Sequence, residues 1–222
     1  MEVKQLFFSG ACFFCLTKTE EAWCRDCERD FIYEKSRCPV CARHSLHKDI
    51  CGSCLNQQPP FSSTEVLFDY QYPADQLIKA FKFNNRPELA WRFADILAKK
   101  LTKKEVALPE VIVPVPLHKN RQRQRGYNQS LELAKQLGRQ LGVKVSFSQC
   151  SRTINTDPQS TLPMKTRRKN VIGAFSLSKS KIPEHIAIVD DVITTGSTVS
   201  ELSRLFKKAG CQQIDIWAIA RT

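Results

Sequence analysis

Eight cysteines stand as four Cys-x-x-Cys pairs within the first 54 residues of this chain: Cys12/Cys15, Cys24/Cys27, Cys38/Cys41 and Cys51/Cys54, separated by eight, ten and nine residues. Two thiolates at that local spacing occupy two corners of a zinc tetrahedron, and a second pair completes it, so eight thiolates support two four-cysteine sites. A catalytic zinc keeps an open position for water, whereas here every cysteine has a partner; both Zn2+ ions therefore read as structural. The spacing leaves the pairing open between neighbouring ribbons and an interleaved cross-brace. His44 and His47 fall between the third and fourth pairs and read as solvent-facing, because the thiolate count is already complete. Cys150 and Cys211 read as packing residues.

In a small secreted protein so many cysteines would form disulfides. The N-terminal stretch Met1-Glu2-Val3-Lys4-Gln5-Leu6-Phe7-Phe8 has an early acid and no sustained apolar region, unlike a signal peptide. Apolar runs are as short as Ile186 to Val189, far from the roughly 20 residues that cross a bilayer. The expectation is a cytoplasmic protein with no transmembrane segment.

Gln57-Gln58-Pro59-Pro60 ends the cysteine-rich segment, and Pro-Pro continues neither a ladder nor a helix interior. This divides the chain into a zinc module of residues 1–58 and a globular domain of residues 61–222. Residues 1–60 hold eight basic and eight acidic side chains, so the whole net charge of +12 lies in the second part, whose ligands should be anionic. There, Val111-Ile112-Val113, Ile186 to Val189 and Ile214 to Ala220 are β-branched, continuous runs, as expected of parallel strands covered on both faces. Between them, Leu89, Phe93, Leu97 and Leu101, then Leu131, Ala134, Leu137 and Leu141, then Val199, Leu202, Leu205 and Phe206 recur at helical spacing. Asn128 is placed to cap the second helix and Gly142 to stop it. The expected fold is α/β, a mostly parallel sheet flanked by helices, preceded by the small Cys-rich module. Residues 153–170 are polar and basic, long for a passive connection, and read as a mobile functional loop.

Ile186 to Thr198 carries the most chemistry. A buried strand delivers Asp190 and Asp191 at its C-terminal end, followed by the hydroxyl-rich turn Thr194-Thr195-Gly196-Ser197-Thr198 and a helix start. Amides of such a turn converge on a phosphate, and paired carboxylates beside it suit ribose hydroxyls or a divalent cation. In an open parallel sheet that location collects ligands. The loop Pro116 to Tyr127 concentrates His118, Lys119, Arg121, Arg123 and Arg125 without an acid, which suits a pyrophosphate.

The same thirteen residues resemble the phosphoribosyl pyrophosphate (PRPP) signature of type I phosphoribosyltransferases. The resemblance implies that Asp190 and Asp191 hold the ribose hydroxyls, that Thr194, Thr195, Gly196, Ser197 and Thr198 bind the 5-phosphate, and that Mg2+ accompanies PRPP. With the four cysteine pairs ahead of it, the chain resembles the ComF/GntX family over essentially its whole length. Lys82-Phe83, Val113-Pro114-Val115-Pro116, the run from Arg121 through Arg125-Gly126-Tyr127-Asn128-Gln129, and the stretch from Arg152 through Thr156, Gln159, Leu162 and Arg167 to Asn170 and Phe175 agree with it. Residues 153–170 then take the place of the flexible catalytic loop, with Lys165, Arg167, Arg168 and Lys169 closing over a polyanion. Family members are linked with DNA uptake in natural transformation and, in the GntX branch, with gluconate use.

Two function classes follow. One is a phosphoribosyltransferase, in which pyrophosphate leaves the anomeric carbon as a nitrogen nucleophile arrives; no feature identifies that nucleophile. The other is a single-stranded-DNA-binding factor working with other DNA-uptake proteins, with PRPP or a nucleotide as effector. There the basic clusters would contact phosphates, and Tyr127, Phe81, Phe83 and Trp91 would offer stacking faces, although Phe81 and Trp91 sit in helix-period segments that favour the core. The zinc module is electrically neutral and suits protein docking or capping of the larger domain.

Overall fold

Alternate residues of the Ile186 to Val189 run face opposite sides of a sheet, and both sides are covered. The computed structural model of the chain describes residues 10–31, 36–105, 107–154 and 171–222. Their order is α1 (Arg25–Glu28), α2 (Gly52–Asn56), β1 (Ser63–Asp69), α3 (Ala74–Phe83), α4 (Leu89–Lys103), β2 (Val111–Pro114), α5 (Lys119–Arg125), α6 (Gln129–Leu141), β3 (Lys144–Val145), β4 (Cys150–Arg152), β5 (Phe175–Leu177), β6 (His185–Ile193), α7 (Ser197–Lys208) and β7 (Gln213–Arg221). Five strands form one parallel sheet in the order β1-β7-β6-β2-β3. Strands β4 and β5 form a separate antiparallel pair. No helix among the described residues is long and apolar enough to cross a membrane.

Ala187 and Val189 of β6 pack with Phe81, Phe93 and Leu133 from α3, α4 and α6. Ile186 and Ile188 turn to the other side, with Val199, Leu202 and Phe206 of α7. The continuous apolar reading of the strands and the helical periodicities thus describe one three-layer arrangement. The basic loop expected from Pro116 to Tyr127 differs: residues 119–125 are helical, with His118 as N-cap accepting from the Asn120 amide through Nδ1 at 3.3 Å. A polar helix of seven residues has no apolar stripe to betray it.

Gly138 marks the tightest approach. A Cβ there would lie 2.5 Å from Val145 Cγ2 and 2.7 Å from the Val143 carbonyl oxygen. Gly138→Ala should therefore destabilise the protein by about 1–3 kcal/mol despite alanine's better helix propensity, because overcrowding α6 against β3 outweighs the gain of about 1 kcal/mol. A lowered denaturant midpoint at unchanged slope is the expected reading; a raised midpoint would contradict the packing.

The eight paired cysteines form two sequential groups, Cys12/Cys15/Cys24/Cys27 and Cys38/Cys41/Cys51/Cys54, the ligand atoms of each lying within 4.8 Å of one another. The pairing left open by spacing is thus neighbouring ribbons. Neither His44 nor His47 joins a group, and Cys150 and Cys211 are buried away from both.

Both ribbons are built into the larger domain. In the first, Trp23 packs on Phe93 at 5.9 Å and Phe31 stacks on Phe68 at 5.0 Å. Arg92 of α4 reaches back to pair with Glu21 and Glu28. In the second, the Thr64 hydroxyl donates to the Val40 carbonyl at 2.6 Å, the Thr64 amide to that of Pro39 at 3.1 Å, and Arg37 pairs with Asp69 at 2.8 Å.

Candidate sugar-phosphate site

All five parallel strands end on one edge, and the candidate site lies there, at the end of β6. Strand β6 does not stop before the acids: Asp190 pairs in register with Ala218 and Ile193 with Arg221, so both carboxylates are held by the ladder itself. The Asp190 Oδ1 accepts from the Asp191 amide at 2.9 Å and from the Ser130 hydroxyl at 3.2 Å. The Asp191 Oδ1 accepts from the Val192 amide at 2.6 Å and pairs with Lys82 Nζ at 3.0 Å. The Lys82 and Asp191 side chains are only 16% and 13% exposed, so this pair is far better shielded than a surface ion pair. The contacts fall on Oδ1 of both residues, and neither Oδ2 takes a hydrogen bond among the described residues.

The basic run that ends in Gly126-Tyr127-Asn128-Gln129 turns out to position these partners. Asn128 caps α6 as expected, its Oδ1 accepting from the amides of Ser130 and Leu131, while its Nδ2 donates to the Val115 carbonyl at 3.0 Å. That tie fixes Ser130 beside Asp190. The Tyr127 hydroxyl donates to the Phe81 carbonyl, and Gln129 Nε2 donates to the Lys82 carbonyl at 3.4 Å. These bonds set the end of α3 from which Lys82 reaches Asp191. Burial pushes the Tyr127 hydroxyl up to about 12, so it remains a donor at neutral pH.

The turn Thr194 to Thr198 follows directly. Gly196 takes φ 77°, ψ 5°, a left-handed conformation that lets the chain reverse into α7. The Thr195 and Ser197 hydroxyls lie 2.8 Å apart, and Thr195 Oγ1 accepts from the Ser197 amide at 3.3 Å. The first turn of α7 supplies amides and the positive end of the helix dipole.

Of the three predicted arginines, Arg121 lies within electrostatic reach of Arg152 on β4, which in turn senses Asp190. Burial and then the Arg121 charge lower Arg152 to about 10, with Asp190 opposing. Arg125 lies over the Phe83 ring at 5.2 Å and donates to Gln129 Oε1 at 3.2 Å, contacts that hold α5 to α6. Arg167 lies outside the described residues, as do Lys165, Arg168, Lys169, Thr156, Gln159 and Leu162. Lys82, Ser130 and Arg152 reach the acid pair through contacts between distant segments, which sequence spacing does not display. Phe81 is fully buried, whereas Phe83 is 62% exposed.

Burial, then the neighbouring Asp191 charge, push Asp190 up to about 7. The folded state therefore keeps a proton that the unfolded chain releases near pH 4, and stability declines as pH rises from about 4 to about 7. Asp190→Asn should raise the Tm at pH 8 by about 3–6 °C, from about 1–2 kcal/mol after discounting for residual solvent, with the gain shrinking at pH 6. Scanning calorimetry at the two pH values checks this; an unchanged Tm at pH 8 would mean that the acid is not strained.

In the ribbons, Cys15 and Cys24 Sγ lie 3.6 Å apart, as do Cys41 and Cys51. Ligands 2.3 Å from a tetrahedral zinc are separated by about 3.8 Å, so the donor sets fit that ion. Amides of Cys24 and Cys51 donate to Cys12 and Cys38 Sγ, both at 3.3 Å, as suits thiolate acceptors.

A parallel sheet with acids and a hydroxyl-rich turn at its carboxyl edge, joined to two four-cysteine ribbons, is the architecture of a phosphoribosyl transferase domain with a double zinc ribbon. The family models of those descriptions match residues 127–222 and 3–55. The chain is 37% identical over 226 residues to competence protein F of Haemophilus influenzae, covering 97% of this chain and 98% of that protein. It is 34% identical over 223 residues to the DNA utilization protein YhgH of Escherichia coli strain K12, covering 96% and 97%. It is 25% identical over 211 residues to competence protein ComFC of Streptococcus pneumoniae, covering 93% and 90%. The chain belongs to the ComF family of double-zinc-ribbon proteins with a phosphoribosyl transferase domain.

Proposed function

We propose that this protein binds PRPP at the carboxyl edge of the sheet and transfers or senses its phosphoribosyl group, acting in the cytoplasm in DNA uptake or utilisation as the names of its relatives indicate. The observation that carries this reading is the acid pair: each aspartate spends one oxygen inside the protein, on Lys82 or Ser130, and keeps the other for a sugar hydroxyl, one turn from a phosphate-binding bend. Asp190 and Asp191 hold the ribose, residues 194–198 the 5-phosphate, and Arg121 with Arg125 and Arg167 the pyrophosphate. Residues 61–222 supply the site and residues 1–58 brace it.

Mg2+ fits this donor set, since carboxylate oxygens beside a pyrophosphate are its ordinary ligands; when bound it neutralises charge on the leaving group. The residues themselves fix the sugar and face the departing pyrophosphate with cations, so positioning and electrostatics carry any catalysis. In transfer, the anomeric C–O bond breaks with its electron pair leaving on pyrophosphate, and a nitrogen lone pair forms the new bond.

A second reading, a non-catalytic single-stranded-DNA-binding factor with PRPP or a nucleotide as effector, draws on the exposed Phe83 ring beside Arg125, a stacking face next to a cation. The two are separated by pyrophosphate release from PRPP in the presence of Mg2+ and candidate nucleobases or amines. Release dependent on Asp190 and Asp191 identifies a transferase; PRPP binding without release identifies a sensor; no PRPP binding at all defeats the proposal.

A further inference from the structure

The penultimate residue, Arg221, is buried with only 5% of its surface exposed, and its Nε has no hydrogen-bond partner among the described residues. Its side chain lines a cleft of about 410 Å³. One wall is the phosphate turn, Thr195 to Ser197, with the first turns of α7; the facing wall is the second ribbon, through Arg43 and Ser53. Among the described residues one carboxylate lines the cleft, and it is already engaged: Glu201 Oε1 accepts from the Gly173 amide at 3.0 Å and its Oε2 from Arg204 at 2.9 Å. Arg43 is exposed, and among the described residues its guanidinium donates to the Ser53 hydroxyl, at 3.3 Å. A largely buried guanidinium that lines the same cleft as a turn of amides and hydroxyls and a second, exposed cation suits an anion with several acceptor oxygens.

We propose that the second ribbon completes the phosphate site: a phosphate monoester seated in the Thr195 to Ser197 turn is held from below by Arg221 and from across the cleft by Arg43. This rests on the sugar-phosphate reading above and adds a partner to it. The cysteines that shape this wall, Cys41 and Cys54, also line the cleft. Metal at the second ribbon orders Arg43 and Ser53, so zinc and phosphate binding strengthen each other, and by linkage the effect is reciprocal. The ribbon is then part of the ligand site as well as a brace.

Calorimetric titration of the zinc-loaded full chain with ribose 5-phosphate, and with PRPP plus Mg2+, tests this, alongside the rate of zinc transfer to a chromophoric chelator. Arg43→Ala, an exposed position that the fold tolerates, should weaken ribose 5-phosphate binding at least tenfold with two zinc ions per chain retained. Arg221→Met should do the same or more. Ribose 5-phosphate should slow zinc release from the wild-type chain and not from Arg43→Ala. Wild-type affinity in both variants, or zinc release indifferent to ribose 5-phosphate, overturns the proposal even where PRPP binding depends on Asp190 and Asp191. Loss of ribose 5-phosphate binding in Arg43→Ala, with the Asp190→Asn/Asp191→Asn protein binding it normally, keeps the cleft and removes the sugar assignment. Failure of the wild-type chain to bind either probe overturns both.

Discussion

Replacing Asp190 and Asp191 together by asparagine should lower PRPP affinity at least 100-fold while leaving two zinc ions per chain. The sugar contacts vanish because amides offer ribose hydroxyls a poorer acceptor than carboxylates, and because the change removes two negative charges that Mg2+ would balance. Position matters as much as charge. Both aspartates sit in the β6 ladder and each carboxylate accepts from the amide of the residue that follows it, so little rotamer freedom is left to lose on binding. The asparagine pair keeps the shape of the site but strands Lys82, whose ammonium is 3.0 Å from Asp191 and largely shielded from water. That cost opposes the relief expected from neutralising Asp190, so the double variant should melt near the wild-type temperature while its PRPP isotherm goes flat. Calorimetric titration with Mg2+ present reads the affinity. An isotherm within threefold of wild type would show that the acids do not touch the sugar.

Cys38→Ser should remove one of the two zinc ions and lower the Tm by about 10 °C or more. Structural zinc contributes on the order of 10 kcal/mol to small ribbons that have little core of their own. The second ribbon has such a small core: its buried cluster is Cys38, Cys41 and Cys54 with Val40 and Cys51 beside them. Its loss would not stay local, because Thr64 and Asp69 of β1 are tied to Pro39, Val40 and Arg37, and β1 is the edge of the sheet. Metal content by plasma emission and a thermal melt check both halves. Two zinc ions retained at an unchanged Tm would mean that Cys38 is not a ligand.

The parts of this molecule legible from sequence share one property: their signal is local. Cys-x-x-Cys spacing, the acids followed by the hydroxyl-rich bend, and the 3.6-residue periodicities of α4, α6 and α7 are each contained in a short window, and the structure places them as that reading implies. What was missed is set by contacts between distant segments. Strand β1 reads Ser-Thr-Glu-Val-Leu-Phe-Asp, too short and too mixed to separate from a helix turn, and it becomes a strand by pairing with β7 at the far end of the chain. The pairing of the cysteines could not be read because spacing alone permits two topologies. Lys82 belongs to a stretch that matches the family, but its role shows only once Tyr127 and Gln129 fix the backbone on either side of it and aim it at Asp191. Arg125 belongs to a basic run that suggests a pyrophosphate contact, and the fold adds ties that the run does not display, to Phe83 and Gln129. A basic run reports charge, and only the helix it forms decides which of its members face the site.

The most direct test of a PRPP site at the sheet edge is a crystal structure of the zinc-loaded protein grown with PRPP and Mg2+. The account predicts ribose density over the Oδ2 atoms of Asp190 and Asp191, the 5-phosphate within hydrogen-bond distance of residues 194–198, and the pyrophosphate directed toward Arg121. Well-ordered PRPP bound elsewhere, with the two carboxylates still facing only Lys82 and Ser130, would contradict it.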